Sequence, residues 1–148
     1  MADASVVKKL RDLTGAGVMD AKNALQEAGE DFDKAVEIIK EKGFAKADKK
    51  AEREIKAGIV KTYTHNDRVG VLLKVGCETD FVAKSEPFLQ LVHNLAIHIV
   101  AMSPANVEEL MAQPFVKDEK TSIENLVKEA IAKTGENIRI DEFYRLEL

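Results

Sequence analysis

The sequence predicts an α+β fold, in which a three-helix bundle precedes a core with a small antiparallel sheet covered by helices. Apolar residues recur at helical spacing through the first part of the chain. From residue 57 they alternate with polar residues, as they do in half-buried strands, and a long apolar helix pattern then separates this region from a last alternating segment. Helices followed by a mixed helix and strand region are typical of the α+β class.

Residues 1–43 are predicted to form three short amphipathic helices. Val6, Leu10 and Leu13 mark the apolar stripe of the first helix, and two similar stripes follow. The glycine-rich residues 14–17 separate the first two helices, and Gly43 is a candidate end for the third. Helices joined by such short loops predict a bundle of ubiquitin-associated type.

Residues 44–56 are predicted to form a helical linker, because they contain many helix formers and few large apolar groups. The linker carries five cations, at positions 46, 49, 50, 53 and 56, against three anions. A solvated surface explains this run, and a contact with nucleic acid is the alternative.

Residues 57–148 are predicted to form the core, beginning with a β-hairpin around Asn66 and Asp67. A helix over residues 85–102 follows, apolar nearly all round, so we expect burial on several sides or an interface on one. Residues 105–113 are predicted as a connection. The spacing of Thr121 and Glu124 resembles a capping box that opens a last helix. In the final strand, Ile138, Ile140, Tyr144, Leu146 and Leu148 are predicted to share one face.

The composition restricts the classes of function. The chain has 148 residues and a net charge of −4, which argues against a protein that mainly grips phosphate backbones. Cys77 is the single cysteine, so an internal disulfide is excluded and a reducing compartment is predicted. The sequence contains no apolar run long enough for a membrane span and begins without the pattern of a signal peptide. We therefore expect a cytoplasmic protein without a membrane or direct nucleic-acid partner.

The chain offers little for catalysis, so we predict no enzyme, no cofactor and no metal site. His93 and His98 lie about 140° apart around a helix and cannot bind one metal from one face. Cys77 is predicted to be a buried structural residue. Glu78 and Asp80 lie on opposite sides of a strand end and make a poor cation site. Each histidine is either packed locally at the helix edge or turned toward a partner.

The most informative segment is the polar turn Thr79-Asp80-Phe81-Val82, between a predicted strand and a predicted helix. Turns of this kind present side chains on a rigid base and often carry function. The local pattern favours a Phe81 ring folded back onto the core. The alternative is a ring held outward, where it inserts into a partner.

Several blocks of the chain, in order, resemble the elongation factor Ts family of bacteria. They comprise residues 7–25, residues 35–43, Cys77-Glu78-Thr79-Asp80-Phe81-Val82-Ala83, residues 95–99, residues 113–118 and residues 135–138. Because these blocks span nearly the whole chain, the resemblance is specific.

The resemblance implies guanine-nucleotide exchange on elongation factor Tu, a GTPase. It implies that Thr79, Asp80, Phe81 and Val82 act at the magnesium site of that GTPase. Val18, Met19 and Asp20 of the bundle are implied as docking residues, and His98, with His93 as a second candidate, is implied to face the partner.

The chain departs from the longer members of the family in one respect. Those members have a second core module or a long helical insertion, where only residues 105–112 stand here. In those members, the contacts of the exchange turn and those of the histidine-containing helix come from different modules of one chain. Because a chain with one module could supply both only by pairing with a second copy, we predict a homodimer through helix 85–102 or the sheet edge. An adaptor of ubiquitin-associated type without exchange activity is the main alternative, and an RNA-binding accessory that uses the linker cations is another.

Overall fold

A computed structural model describes residues 2–148, which form seven helices and five strands and confirm the predicted α+β class. The helices are α1 (Ala4–Thr14), α2 (Val18–Glu27), α3 (Phe32–Lys50), α4 (Asp80–Ala83), α5 (Glu86–Met102), α6 (Val107–Ala112) and α7 (Ile123–Thr134). The strands are β1 (Ala57–His65), β2 (Val69–Cys77), β3 (Pro114–Phe115), β4 (Asp118–Ser122) and β5 (Ile138–Glu147).

Helices α1 to α3 enclose a small hydrophobic cluster of their own, which includes Leu10, Leu25 and Ala35. The predicted end of the third helix at Gly43 is wrong, since α3 continues to Lys50. Gly43 instead permits close packing against α7, because a Cβ atom there would lie 3.1 Å from the Cβ of Ala132. The first half of the predicted linker is therefore a continuation of α3.

The main sheet has the order β1-β2-β5, and both neighbouring pairs are antiparallel. The predicted hairpin is confirmed. Asn66 and Asp67 both adopt left-handed backbone angles, with φ of 52° and 55°. Two consecutive positive φ angles are what a two-residue hairpin turn requires, and Asn and Asp tolerate them well.

A β-bulge in β5 reverses the faces of its second half. The partner of Lys74 is Glu142 and that of Val75 is Ile140, so Asp141 is the extra residue. Ile138 and Ile140 share a face, and both are buried in the core. Beyond the bulge, Tyr144, Leu146 and Leu148 are exposed, so the prediction of one shared face is wrong. A one-residue insertion has this effect because side chains alternate along a strand.

Helices α5 and α7 cover the inner face of the sheet. The apolar residues of α5 are mostly buried within the chain, including Phe88, Leu95 and Ile99, which accounts for its nearly continuous apolar pattern. The sequence did not predict α6 or the β3–β4 hairpin, which fill the connection before α7. Ser122 caps α7, one residue after the predicted Thr121, and accepts a hydrogen bond from the amide of Asn125.

Gly58 of β1 is expected to be essential for the sheet, because φ is 147° and a Cβ atom would overlap the carbonyl oxygen of Val75. We expect Gly58→Ala to lower the free energy of unfolding by about 2 kcal/mol or more. Urea denaturation measures the loss. Gly70→Ala is the matched control, since its Cβ would make an ordinary contact 3.6 Å from Thr64. Equal losses in the two variants would contradict this account.

Candidate functional site

The turn after β2 is a single helical turn, α4, with one side in the core and the other in water. Val82 and Ala83 are buried in the main hydrophobic cluster, whereas Asp80 and Phe81 are exposed. Thr79 caps this turn, and its hydroxyl accepts a hydrogen bond from the amide of Val82 at 3.3 Å. Of the four predicted site residues, Val82 is therefore an anchor and Asp80 and Phe81 are the groups available for contact.

The Phe81 side chain lies outside the fold, with 87% of its surface exposed. The interpretation that local pattern favoured, a ring folded back onto the core, is therefore wrong. By contrast, Phe88, seven residues later, is completely buried and packs in the main hydrophobic cluster. The ring of Phe81 is free to enter a cavity on another molecule.

The turn is held from behind by the connection between α7 and β5. The Glu136 carboxylate accepts hydrogen bonds from the amides of Glu78 at 3.1 Å and Thr79 at 2.9 Å, and from the Thr79 hydroxyl at 2.7 Å. In return, the Glu78 carboxylate accepts a hydrogen bond from the amide of Asn137 at 2.9 Å and lies 3.7 Å from Arg53. Sequence reasoning did not find Glu136 as a functional residue, although it lies in one of the blocks that carry the family resemblance.

The two histidines of α5 occupy opposite environments. His98 is fully buried. Its Nδ1 accepts a hydrogen bond from the amide of Val116 at 3.1 Å, so Nε2 carries the proton and donates to Gln113 at 2.8 Å. The implied partner contact through His98 is not compatible with this burial, and the local-packing interpretation fits. His93 is exposed and lies edge-on to Tyr63, with ring centroids 6.1 Å apart.

The predicted docking residues lie at the start of α2, in the bundle, and are separate from the turn. Val18 and Met19 are large apolar side chains exposed to solvent. The Asp20 carboxylate lies 3.7 Å from the ammonium group of Lys46 on α3, and both side chains are mostly exposed. The predicted docking residues and the predicted exchange turn thus lie in different parts of the fold, the bundle and the core.

Cys77, the last residue of β2, lies two residues before Thr79. Burial, with the nearby carboxylate of Glu136, raises the pKa of the Cys77 thiol, so the thiol is protonated at neutral pH and is a poor nucleophile. Residues 2–148 contain no group of three or more His, Cys, Asp or Glu side chains that could hold a metal ion. None of the helices in the described chain is long and apolar enough to cross a membrane.

Comparison with known proteins gives a consistent family. The model of the family described as Elongation factor TS matches residues 78–148. The chain is 40% identical to elongation factor Ts of Fervidobacterium nodosum, with 98% of this chain and 97% of the relative covered. It is 39% identical to elongation factor Ts of Thermotoga petrophila, with 97% and 94% covered. For elongation factor Ts of Thermodesulfovibrio yellowstonii the identity is 36%, with 98% and 95% covered.

The same comparison reveals that this chain is internally shorter than these relatives. The alignment with the Fervidobacterium nodosum protein spans 191 positions, whereas this chain has 148 residues, so at least 43 positions of the relative have no counterpart here. Both proteins are covered almost from end to end, so the missing positions are internal.

His98 is expected to make stability depend on pH. Burial lowers the pKa of its imidazole below the ordinary value of 6.5, and the hydrogen bond to Gln113 opposes this only in part. As the pH falls through 6.5, the unfolded chain binds a proton that the native state does not, so stability decreases. Urea unfolding at about pH 7.5 and about pH 5.5 measures the effect. We expect His98→Gln to lose less stability over this interval than the unmodified chain, and an equal loss would contradict the assignment.

Proposed function

Because this chain belongs to the elongation factor Ts family of translation elongation factors, we propose that it promotes guanine-nucleotide exchange on elongation factor Tu. The observation that carries the proposal is the Phe81 ring, 87% exposed on a turn anchored by Val82 and Ala83. An exchange factor needs such a rigidly mounted side chain, because it must displace groups inside another folded protein. It forms no covalent intermediate, so it is not an enzyme in the usual sense.

The mechanism that we propose acts on the magnesium site of the GTPase. A Mg²⁺ ion bridges the phosphates of the bound nucleotide and neutralises their charge. If Asp80 and Phe81 enter the GTPase near this ion, they disturb its ligands and the phosphate loop, and the affinity for GDP falls. By thermodynamic reciprocity, GDP then weakens the affinity of the GTPase for the exchange factor by the same factor. The cycle can therefore release the factor when a new nucleotide binds.

The bundle, residues 1–43, is proposed to supply docking through Val18, Met19 and Asp20. Two apolar side chains and one carboxylate, all exposed, form a contact that is separate from the turn. The core, residues 57–148, is then brought to the nucleotide site. Of the two histidines, we retain only His93 as a partner contact, because it is exposed on α5. A cytoplasmic site of action follows from this role.

The adaptor alternative assigns function to the bundle alone. It leaves the exposed Phe81 and the network of hydrogen bonds behind its turn without a role, because a peptide-binding bundle does not require them. Exchange activity that depends on Phe81 therefore distinguishes the two functions.

We also propose that the protein acts as a homodimer, in which the outer face of the sheet is the interface. Val60, Leu72, Tyr144 and Leu146 are large apolar side chains exposed on this face. Helix α5 is a poorer candidate, because most of its apolar residues are already buried within one chain. A second copy would bring a second turn and a second bundle into one particle, which compensates for the missing internal segment.

The direct test is release of a fluorescent GDP from elongation factor Tu, with and without this protein. We expect faster release, and we expect Phe81→Ala to reduce the acceleration by about tenfold or more, since the ring acts only in the complex. Because Phe81 is exposed, its replacement should change the free energy of unfolding by no more than about 0.5 kcal/mol. A stable Phe81→Ala variant with full activity would remove the ring from the mechanism.

The dimer is tested by light scattering with two matched leucines. Leu72 on the sheet and Leu89 on α5 are 45% and 44% exposed. We expect a species of twice the 16.4 kDa chain mass, which Leu72→Glu converts to a monomer because the interface would bury an unpaired carboxylate, and which Leu89→Glu leaves intact. Circular dichroism checks that both variants fold. A monomeric unmodified chain would contradict the homodimer, and dissociation by Leu89→Glu alone would move the interface to α5.

A further inference from the structure

Glu136 follows directly after the end of α7, where Gly135 adopts a left-handed conformation with φ of 76°. This geometry turns the chain sharply and directs the next side chain toward the end of β2. Three hydrogen bonds, between 2.7 and 3.1 Å, reach the Glu136 carboxylate from the two residues that precede α4. Hydrogen bonds to an ionised carboxylate are stronger than those between neutral groups.

Thr79 transmits this contact to the turn. Its hydroxyl donates to Glu136, so a lone pair of the same oxygen is directed to the amide of Val82, which it caps. Its carbonyl oxygen accepts from the amide of Ala83 at 3.1 Å and from the Cys77 thiol at 3.2 Å. Every polar group of Thr79 is thus engaged, and the conformation of the residue before Asp80 is fixed.

A helix of four residues does not persist without external support, because the cost of fixing its backbone exceeds the gain from one or two hydrogen bonds. Burial of Val82 and Ala83 fixes how deeply the turn sits in the core. It does not fix the rotation of the turn about the end of β2. The hydrogen bonds that the amides of Glu78 and Thr79 donate to Glu136 supply that second constraint.

We propose that Glu136 is a positioning residue, which holds the Asp80–Phe81 turn in its outward orientation through Thr79. The inference rests on the proposed exchange function for its effect on rate, but the clamp itself is a property of this chain alone. Loss of the clamp should leave docking through the bundle intact. It should lower the fraction of molecules whose Phe81 ring is aligned for insertion.

The test compares Glu136→Ala and Glu136→Gln with Glu119→Gln, an exposed glutamate on β4 that serves as the control. Glu136→Gln keeps the side-chain volume and one acceptor oxygen but offers an amide nitrogen to the Thr79 hydroxyl. Each variant is titrated against elongation factor Tu with bound fluorescent GDP, which separates the half-saturating concentration from the maximal release rate. Cys77, the single cysteine, is also labelled with a maleimide, because its thiol is buried under the clamped turn.

For Glu136→Ala we expect the maximal release rate to fall about tenfold or more, with a half-saturating concentration that changes by less than about threefold. Thiol labelling should accelerate, and Glu136→Gln should lie between Ala and the unmodified chain in both measurements. An unchanged maximal rate, or a change confined to the half-saturating concentration, would overturn the role in positioning.

Thiol labelling keeps the inference separate from the proposed function. If the unmodified chain does not accelerate GDP release, the proposed function fails, and labelling still decides whether Glu136 clamps the turn. Because the Glu136 carboxylate also raises the pKa of the Cys77 thiol, labelling is followed as a function of pH and the rates are compared at equal thiolate fraction. Faster labelling of the Glu136 variants on that basis supports the clamp, and labelling at the rate of Glu119→Gln overturns it. If Glu136→Ala does not fold, as judged by circular dichroism, Glu136→Gln decides by the same two criteria.

Discussion

The three-residue connection Gly135–Asn137 is the constraint on which the arrangement of the molecule depends. Asn137 is nearly buried, and its side-chain amide donates to the carbonyl oxygens of Ala51 and Arg53 at 3.2 and 2.9 Å. These carbonyls belong to the segment that follows the long helix of the bundle. Glu136 holds the exposed turn on the other side of the same connection. Because a buried amide without partners would be costly, the bundle exit and the turn are fixed relative to one short piece of backbone.

The turn itself illustrates how few residues a protruding side chain needs. Neighbouring residues in a helix point about 100° apart, so one helical turn can bury Val82 and Ala83 while it exposes Phe81. The buried anchor and the exposed ring are therefore adjacent in the sequence. No flexible segment separates them, so the position of the ring follows that of the anchor. Because the Phe81 ring is exposed, it contributes none of the free energy that its burial in the core would supply. The buried side chains of its neighbours stabilise the turn instead.

Local features of this fold were predictable from the sequence, and tertiary ones were not. The hairpin at Asn66 and Asp67 depends on neighbouring residues, and it was predicted correctly. Gly43 resembled a helix end, but its role is close packing against Ala132, which only the folded chain reveals. The exposed position of Phe81 was not predictable from the local pattern for the same reason. Whether its ring packs in the core depends on tertiary contacts, which the local sequence does not define. Glu136 was missed as a site residue because its partners are 57 and 58 positions away.

The bulge at Asp141 also bears on how copies of the chain can aggregate. Strands β1 and β5 are the two edges of the sheet, and a regular edge invites another strand to add by hydrogen bonding, which can continue without limit into fibrils. Here one edge carries the bulge and the other carries Gly58, with its unusual backbone angle. Both irregularities disfavour strand addition. In the homodimer proposed above, association uses the outer face of the sheet instead, where a two-fold contact closes on itself and growth stops at two chains.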